Sequence, residues 1–136
     1  MNNQAFLKRF PAFWLFISRY DEDFNLDYKN EVEYWGEFIK EYSSKSNEAI
    51  VNDLLIIMNV NEQEATDYWR QYTKNNKKGI TDYLIEEINT IVNFNEDESS
   101  IFFNEYTSHY LGPYMNSVAD FFVWLNKVIE FMKAHI

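Results

Sequence analysis

The chain contains no cysteine, only three glycines and only two prolines among its 136 residues. The absence of cysteine excludes a disulfide framework and thiolate chemistry, and it is typical of proteins that work in a reducing compartment. So little glycine and proline argues against an all-β protein with many tight turns, and no glycine-rich loop is present to bind a phosphate. The composition therefore favours helices joined by short polar loops.

Histidine and long apolar segments are also scarce. His109 and His135 form no zinc-binding motif, no serine lies in a G-x-S-x-G sequence, and paired carboxylates such as Glu86 and Glu87 are usually solvated. We therefore expect no enzyme activity, no metal site and no cofactor. The apolar segment 11–17 is too short to span a bilayer, and no small-x-small cleavage site follows it. We expect a cytoplasmic protein that is neither exported nor bound to a membrane.

Basic residues are few in the middle of the chain. The net charge of the whole chain is −10, and residues 21–67 alone carry thirteen acidic and three basic residues. A negative field of this kind repels nucleic acid, and it attracts basic proteins and accelerates their encounter. The charge distribution therefore favours a basic protein partner and argues against binding of nucleic acid.

Amphipathic helical patterns are abundant, and they predict a single all-α domain of about five to six helices over residues 1–136. Capping residues precede four of the predicted helices, at Asn30, at Ser46, at Asn61 with Glu64, and at Ser117 with Asp120. The predicted helices cover approximately residues 11–20, 31–42, 47–58, 62–72, 81–92 and 118–132. Residues 93–116 follow no clear pattern, although residues 96–106 are compatible with a helix.

The second predicted helix has a regular apolar stripe. Val32, Trp35, Ile39 and Tyr42 recur at helical spacing, with glutamates around the remainder of the surface. Gly36 lies within this helix, where it costs up to about 1 kcal/mol relative to alanine, and we interpret it as a point of close approach by a neighbouring helix. We expect this helix to pack through the stripe and to expose its glutamates.

The segment from Phe10 to Tyr28, FPAFWLFISRYDEDFNLDY, joins an aromatic apolar run to a cluster of carboxylates. Its first half predicts a helix with one buried face that ends near Tyr20. The second half, with Lys29, predicts an acidic loop over residues 21–29. The segment therefore places a buried anchor directly before an acidic, aromatic surface.

The acidic loop has part of a calcium-binding pattern. Positions 1, 3, 5 and 7 of a twelve-residue calcium loop carry oxygen ligands, as do the corresponding residues Asp21, Asp23, Asn25 and Asp27. Position 6 should be glycine but is Leu26, and position 12 should be glutamate but is Val32. These two mismatches argue against a calcium site.

Two further groups of residues are candidate binding elements. Three tyrosines adjoin carboxylates and would anchor an interface if they were half exposed; they are Tyr28, Tyr34 and Tyr42. The main basic patch of the chain consists of Lys74, Lys77 and Lys78. In so acidic a protein we interpret it as a solubilising loop and not as a nucleic-acid site.

A family resemblance lies in the same N-terminal region. It begins with the Phe-Pro pair Phe10-Pro11 and an apolar run, followed by Tyr20. An Asp-aromatic step comes next, at Asp23-Phe24 and Leu26-Asp27-Tyr28, and then an acidic helix that ends in Phe38-Ile39-Lys40-Glu41. In this order the residues resemble the start of small immunity proteins of bacterial contact-dependent growth inhibition (CDI) systems. The resemblance covers about the first 60 residues and, more loosely, the start of the last helix at Asp120 to Trp124. Family members commonly have a His-Gln or similar pair where this chain has Asp21 and Glu22.

The resemblance implies a monomeric protein that captures and neutralises the cognate C-terminal toxin domain of a CDI effector. Such toxins are often nucleases with a basic substrate-binding surface. We expect the toxin to bind the acidic, aromatic region, at Asp21, Glu22, Asp23, Asp27, Tyr28, Glu31, Tyr34 and Glu37. From charge alone, the same region is interpreted as a solvated face that aids solubility. An alternative hypothesis is an acidic helical adaptor or regulator that binds another basic protein without catalysis.

Overall fold

The structure is a computed structural model that describes residues 7–23, 31–75, 77–108 and 115–135. These residues form a short 3₁₀ turn and seven α-helices, with no strand among them. After the turn Leu7–Arg9, the helices are α1 Pro11–Asp23, α2 Glu31–Ser43, α3 Asn47–Met58, α4 Glu62–Tyr72, α5 Ile80–Val92, α6 Glu96–Ser108 and α7 Val118–Ala134. The all-α class is confirmed, whereas the expected number of five to six helices is too low.

Local capping explains where several helices begin. The side chains of Ser46, Asn61 and Ser117 accept hydrogen bonds from the backbone N–H groups three residues later, as their sequence context predicted. The predicted cap Asn30 lies outside the described residues. Asn95 begins α6 in the same way, because its side chain accepts from the Glu98 N–H at 2.8 Å while the Glu98 carboxylate accepts from the Asn95 N–H at 3.3 Å. This reciprocal capping box begins the helix Glu96–Ser108, which lies in the first part of the segment whose pattern was unclear.

Helix α1 is the centre of the core. All residues from Phe10 to Ile17 are buried, so this part of α1 is surrounded and is not buried on one face only, as was predicted. The ring of Phe13 lies 5.9 Å from that of Phe102 and 6.4 Å from that of Phe121, which brings α6 and α7 against α1. Helices α3 and α5 also pack on α1. A helix that is apolar on all sides can only be stable when other helices surround it.

Helix α1 also runs further than the sequence predicted. It continues to Asp23, so residues 21–23 belong to its last turn and do not form a loop. No glycine or proline lies between Tyr20 and Asp23 to end the helix there. The acidic segment therefore begins on a helix and not on an extended loop.

The packing of α2 corrects two expectations. Its buried residues are Tyr34, Trp35, Phe38 and Tyr42, whereas Val32 is 56% exposed. The buried face is therefore rotated away from Val32. A Cβ atom placed on Gly36 would meet no other atom within 4 Å, so the predicted close approach of a neighbouring helix is wrong. Within the described ranges, no helix is both long and apolar enough to cross a membrane.

Candidate protein-binding surface

The structure describes only part of the predicted binding region. Asp27 and Tyr28 lie outside the described residues, as do the side chains of Asp21, Glu22 and Asp23, whose backbone forms the end of α1. The remaining predicted residues, Glu31, Tyr34 and Glu37, all belong to α2.

Tyr34 lies in the core and not at the surface. Only 2% of the residue is exposed, and its hydroxyl donates a hydrogen bond to the carbonyl oxygen of Phe16 at 2.6 Å. Its ring centroid lies 5.5 Å from that of the Phe16 ring. The expectation of a half-exposed anchor is therefore wrong, because a tyrosine with a satisfied hydroxyl can be buried beside an apolar helix. Tyr42 is buried in the same manner, and its hydroxyl donates to Asp53 at 2.8 Å.

Glu31 is also engaged within the chain. The indole N–H of Trp124 donates to Oε1 of Glu31 at 2.6 Å, and this bond joins the first turn of α2 to α7. The residue is half buried. Glu31 therefore helps to position α2 and offers less of its carboxylate to a partner than an exposed glutamate does.

The far end of α2 is neutralised by a lysine. Lys45 lies 2.8 Å from the Glu41 carboxylate and 2.7 Å from that of Asp53, and its ammonium group lies 4.4 Å from the centre of the Tyr42 ring. Burial alone would lower the pKa of Lys45, but the hydrogen bonds to Asp53 and Glu41 outweigh burial and raise it above its usual value. The ammonium group is therefore charged at all physiological pH values, and it compensates this end of the helix.

Glu33 and Glu37 remain as exposed carboxylates one turn apart on α2. The structure gives neither of them an ion pair within the part of the chain that it describes, although Lys40 lies three residues after Glu37. Like charges at this spacing destabilise a helix by about 0.2–0.5 kcal/mol. Together with the exposed Val32 and the open position at Gly36, these residues form a surface that we call the acidic ridge.

A second polar group was missed by the sequence analysis, which interpreted Glu87 as solvated. Glu87 is only 3% exposed. Its carboxylate accepts hydrogen bonds from the backbone N–H groups of Ala12 at 3.1 Å and Phe13 at 2.8 Å, and from the hydroxyl of Tyr72 at 2.5 Å. Burial raises the pKa of Glu87 to about 8, against the opposing effect of these three hydrogen bonds.

Glu87 replaces the missing cap of α1. Phe10, which precedes the helix, has no side-chain oxygen to accept the free N–H groups of the first turn, and Glu87 accepts two of them from α5. Two signals in the sequence point to this role. The helix start Phe10-Pro11 lacks a capping side chain, and Glu87 follows Leu84 by three residues in an apolar stripe.

The polar groups that the structure describes show no metal-binding cluster of three or more histidine, aspartate or glutamate residues. All side-chain nitrogen and oxygen atoms that lie fully buried there have a hydrogen-bond partner. The carboxylate of Glu87 is occupied by three donors and enclosed by the core, so the arrangement is suited to holding helices together. The acidic ridge is the more accessible feature. Compared with known protein families, curated proteins and solved structures, the chain shows no match.

Proposed function

We propose that this protein is a CDI immunity protein that binds a basic toxin domain, of which a nuclease is the favoured class, through the acidic ridge of α2. The observation that carries the proposal is the pair Glu33 and Glu37, two exposed carboxylates without a basic partner on the described surface. The family resemblance of the N-terminal region adds to it. Capture takes place in the cytoplasm and requires no catalytic group.

The acidic ridge is suited to a protein partner for two reasons. Its carboxylates attract a basic surface over long range, and this attraction raises the association rate. Val32 offers exposed apolar area, and the open position at Gly36 lets the partner approach the α2 backbone closely. Neutralisation at low copy number needs a dissociation constant near 1 nM, or about −12 kcal/mol. Charge alone does not supply this affinity, so the partner also covers apolar surface.

The predicted residues divide into two roles in this proposal. Glu37 contacts the partner, and so do Asp21, Glu22, Asp23, Asp27 and Tyr28, which precede α2 along the chain. Tyr34 and Glu31 instead hold α2 in position on the core, Tyr34 through its hydrogen bond to the carbonyl oxygen of Phe16 and Glu31 through the hydrogen bond that it accepts from Trp124.

The first experiment is growth rescue. The effector C-terminal domain encoded immediately upstream is expressed with and without this protein, and the two are tested for co-elution. Restored growth with a stable complex supports immunity by capture. If the domain is toxic and this protein neither rescues growth nor binds it, the immunity proposal is wrong. Binding of an unrelated basic protein would then favour the adaptor.

The acidic ridge is tested with a matched pair of variants. Glu37→Lys and Glu130→Lys make the same charge change at exposed positions within α2 and α7. We expect Glu37→Lys to slow association with the toxin by about tenfold or more at low salt, and the loss to shrink as salt screens the field. Glu130→Lys should change the rate much less. Equal effects of the two variants would exclude the ridge as the contact surface.

A further inference from the structure

A groove with a volume of ≈ 700 Å³ lies between α3 and α4, and no residue of the acidic ridge lines it. Its apolar lining comes from Val51 and Leu55 on α3 and Trp69 on α4. Volumes of about 300–1,000 Å³ are typical of pockets that bind small molecules. The volume of the groove is therefore in the range of ligand sites, and its lining combines a small apolar area with polar and charged side chains.

The walls of the groove are fixed by contacts within the chain. The indole N–H of Trp69 donates to the side-chain oxygen of Asn47 at 3.2 Å, which joins the end of α4 to the start of α3. The Trp69 ring also packs edge-on against Tyr83 of α5, with 5.8 Å between ring centroids. At the other end, Asn59 ends α3 in the left-handed conformation with φ 57°, and its N–H bonds back to the last turn. The two helices therefore form a preorganised hairpin.

The charge of the groove is opposite to that of the whole protein. Three of the twelve basic residues of the chain line it, namely Arg70, Lys74 and Lys77. Arg70 has an exposed contact of 3.8 Å with Asp67, and the structure gives the side chains of Lys74 and Lys77 no ion pair on the surface that it describes. Exposed pairs of this kind contribute little, so Arg70 remains available to a ligand.

Two carboxylates also line the groove, Glu48 and Glu62. Each lies in the first turn of its helix, where the helix dipole favours a negative charge. The dipole of α4 similarly favours Arg70 in its last turn, but it does not account for Lys77, which lies beyond the helix end at Tyr72. The lysines are therefore the charged groups of the groove that the fold itself leaves unexplained.

We propose that the α3–α4 groove binds a small amphipathic carboxylate. Its hydrocarbon or aryl body packs on Val51, Leu55 and Trp69, and its carboxylate lies at Arg70, Lys74 and Lys77. This site goes beyond the proposed function, because its ligand has the charge opposite to that of the toxin and its residues lie on other helices. It replaces the interpretation of Lys74 and Lys77 as a solubilising loop.

The probe is octanoate, compared with octan-1-ol and octylamine, which have the same chain length and differ in charge. The chain has four tryptophans, of which only Trp69 lines the groove, so two-dimensional NMR provides one reporting indole resonance and three internal controls. The Trp69→Phe variant assigns the resonance. We expect octanoate to shift the Trp69 signal selectively and saturably. Octan-1-ol should bind about tenfold more weakly, which corresponds to about 1.4 kcal/mol. Octylamine should not bind more tightly than octan-1-ol.

Variants test the position of the charge. Lys74→Gln with Lys77→Gln should weaken octanoate binding several-fold and leave binding of octan-1-ol and the melting temperature unchanged, because both side chains are exposed. The control pair is Lys127→Gln with Lys133→Gln on α7, which should leave octanoate binding unchanged. Four outcomes would overturn the proposal: no shift of Trp69, equal shifts of all four indoles, equal or tighter binding of octylamine, or equal effects of the two double variants.

Discussion

The hydroxyl of Tyr72 donates to the buried carboxylate of Glu87 at 2.5 Å, and the same carboxylate caps the first turn of α1. One side chain of α5 thereby fixes α4 and α1 at once. Loss of this group leaves buried donors without partners on two other helices, so its effect on stability should greatly exceed that of its neighbours.

We predict that Glu87→Gln destabilises the protein by about 1–3 kcal/mol, because both oxygens of the carboxyl group can accept hydrogen bonds in either protonation state, whereas the amide nitrogen cannot and leaves a buried donor unsatisfied. Glu86→Gln is the matched control. Glu86 is exposed and pairs with Lys78 at the surface, so its replacement should change the free energy of unfolding by about 0.5 kcal/mol or less. Urea unfolding measures both. Equal losses in the two variants would refute the capping role of Glu87.

Because the pKa of Glu87 is raised, the contribution of this residue to the free energy of unfolding depends on pH. Burial raises the pKa from 4.5 to about 8, so the folded protein holds a proton there that the unfolded chain releases. The contribution is complete below about pH 4.5 and is lost as the pH rises through 8. The hydroxyl of Tyr72 bonds to the carboxyl group, whereas that of Tyr68 donates to the carbonyl oxygen of Lys8. Burial, with the nearby charge of Glu87, raises the pKa of each tyrosine above its usual value, so both stay neutral in this window.

The measurement is the difference in unfolding free energy between the unmodified protein and Glu87→Gln from pH 5 to 9. We expect the advantage of the unmodified protein to fall across this range, because each unit of pKa shift corresponds to about 1.4 kcal/mol. Other titrating groups are common to both proteins and cancel in the difference. A difference that stays constant, or that grows with pH, would contradict the raised pKa.

Gly36 offers a prediction in which stability and binding change in opposite directions. A Cβ atom at this position meets nothing within 4 Å, so Gly36→Ala should stabilise the protein by about 0.5–1 kcal/mol. The added methyl group should nevertheless weaken toxin binding, because it occupies the space that the partner approaches. Gly79→Ala is the control: it also has open space, but it lies at the N-cap of α5, where alanine is a poor substitute. It should bring no stability gain. Unchanged toxin binding by Gly36→Ala would remove Gly36 from the interface.

Tyr34→Phe distinguishes a supporting role from a contact role. Removal of the hydroxyl leaves the ring in the core but loses its bond to the Phe16 carbonyl, which should lower the free energy of unfolding by about 0.5–1.5 kcal/mol. The association rate with the toxin should not change, because the hydroxyl is buried. A slower association with unchanged stability would instead place Tyr34 at the surface.

Much of the fold is encoded locally and was predictable. Ser46, Asn61 and Ser117 each cap a helix through a backbone group three residues away, so short sequence windows contain the whole signal. Asn95 and Glu98 form such a box as well. The signal for this box is the Asn-x-x-Glu spacing, so it is local as well.

The side of α2 that faces the core was harder to predict. Val32 and Tyr34 both fit an apolar stripe, and the choice between them depends on what α1 and α7 present to the helix. Tyr34 and Trp35 are buried because Phe16 and Phe131 provide aromatic partners. Propensity and spacing contain no information on those neighbours.

The candidate surface was predicted in part. Exposure of Glu37 follows from charge and helical period, and the structure agrees. The partners of Glu31 and Glu87 lie 93 and up to 75 residues away in sequence, and no local pattern reports such distances. The groove at Trp69 likewise exists only because α3 and α4 form a hairpin.

Because Glu87 caps α1 from α5, the capped start of α1 cannot form early in synthesis at the ribosome. After Ala12 has been synthesised, translation adds a further 75 residues before Glu87, its hydrogen-bond partner on α5, exists. At about 5–20 residues per second, the delay is on the order of ten seconds. During this interval the aromatic segment at the start of α1 lacks its native surroundings, and we expect chaperones that bind apolar segments to have access to it.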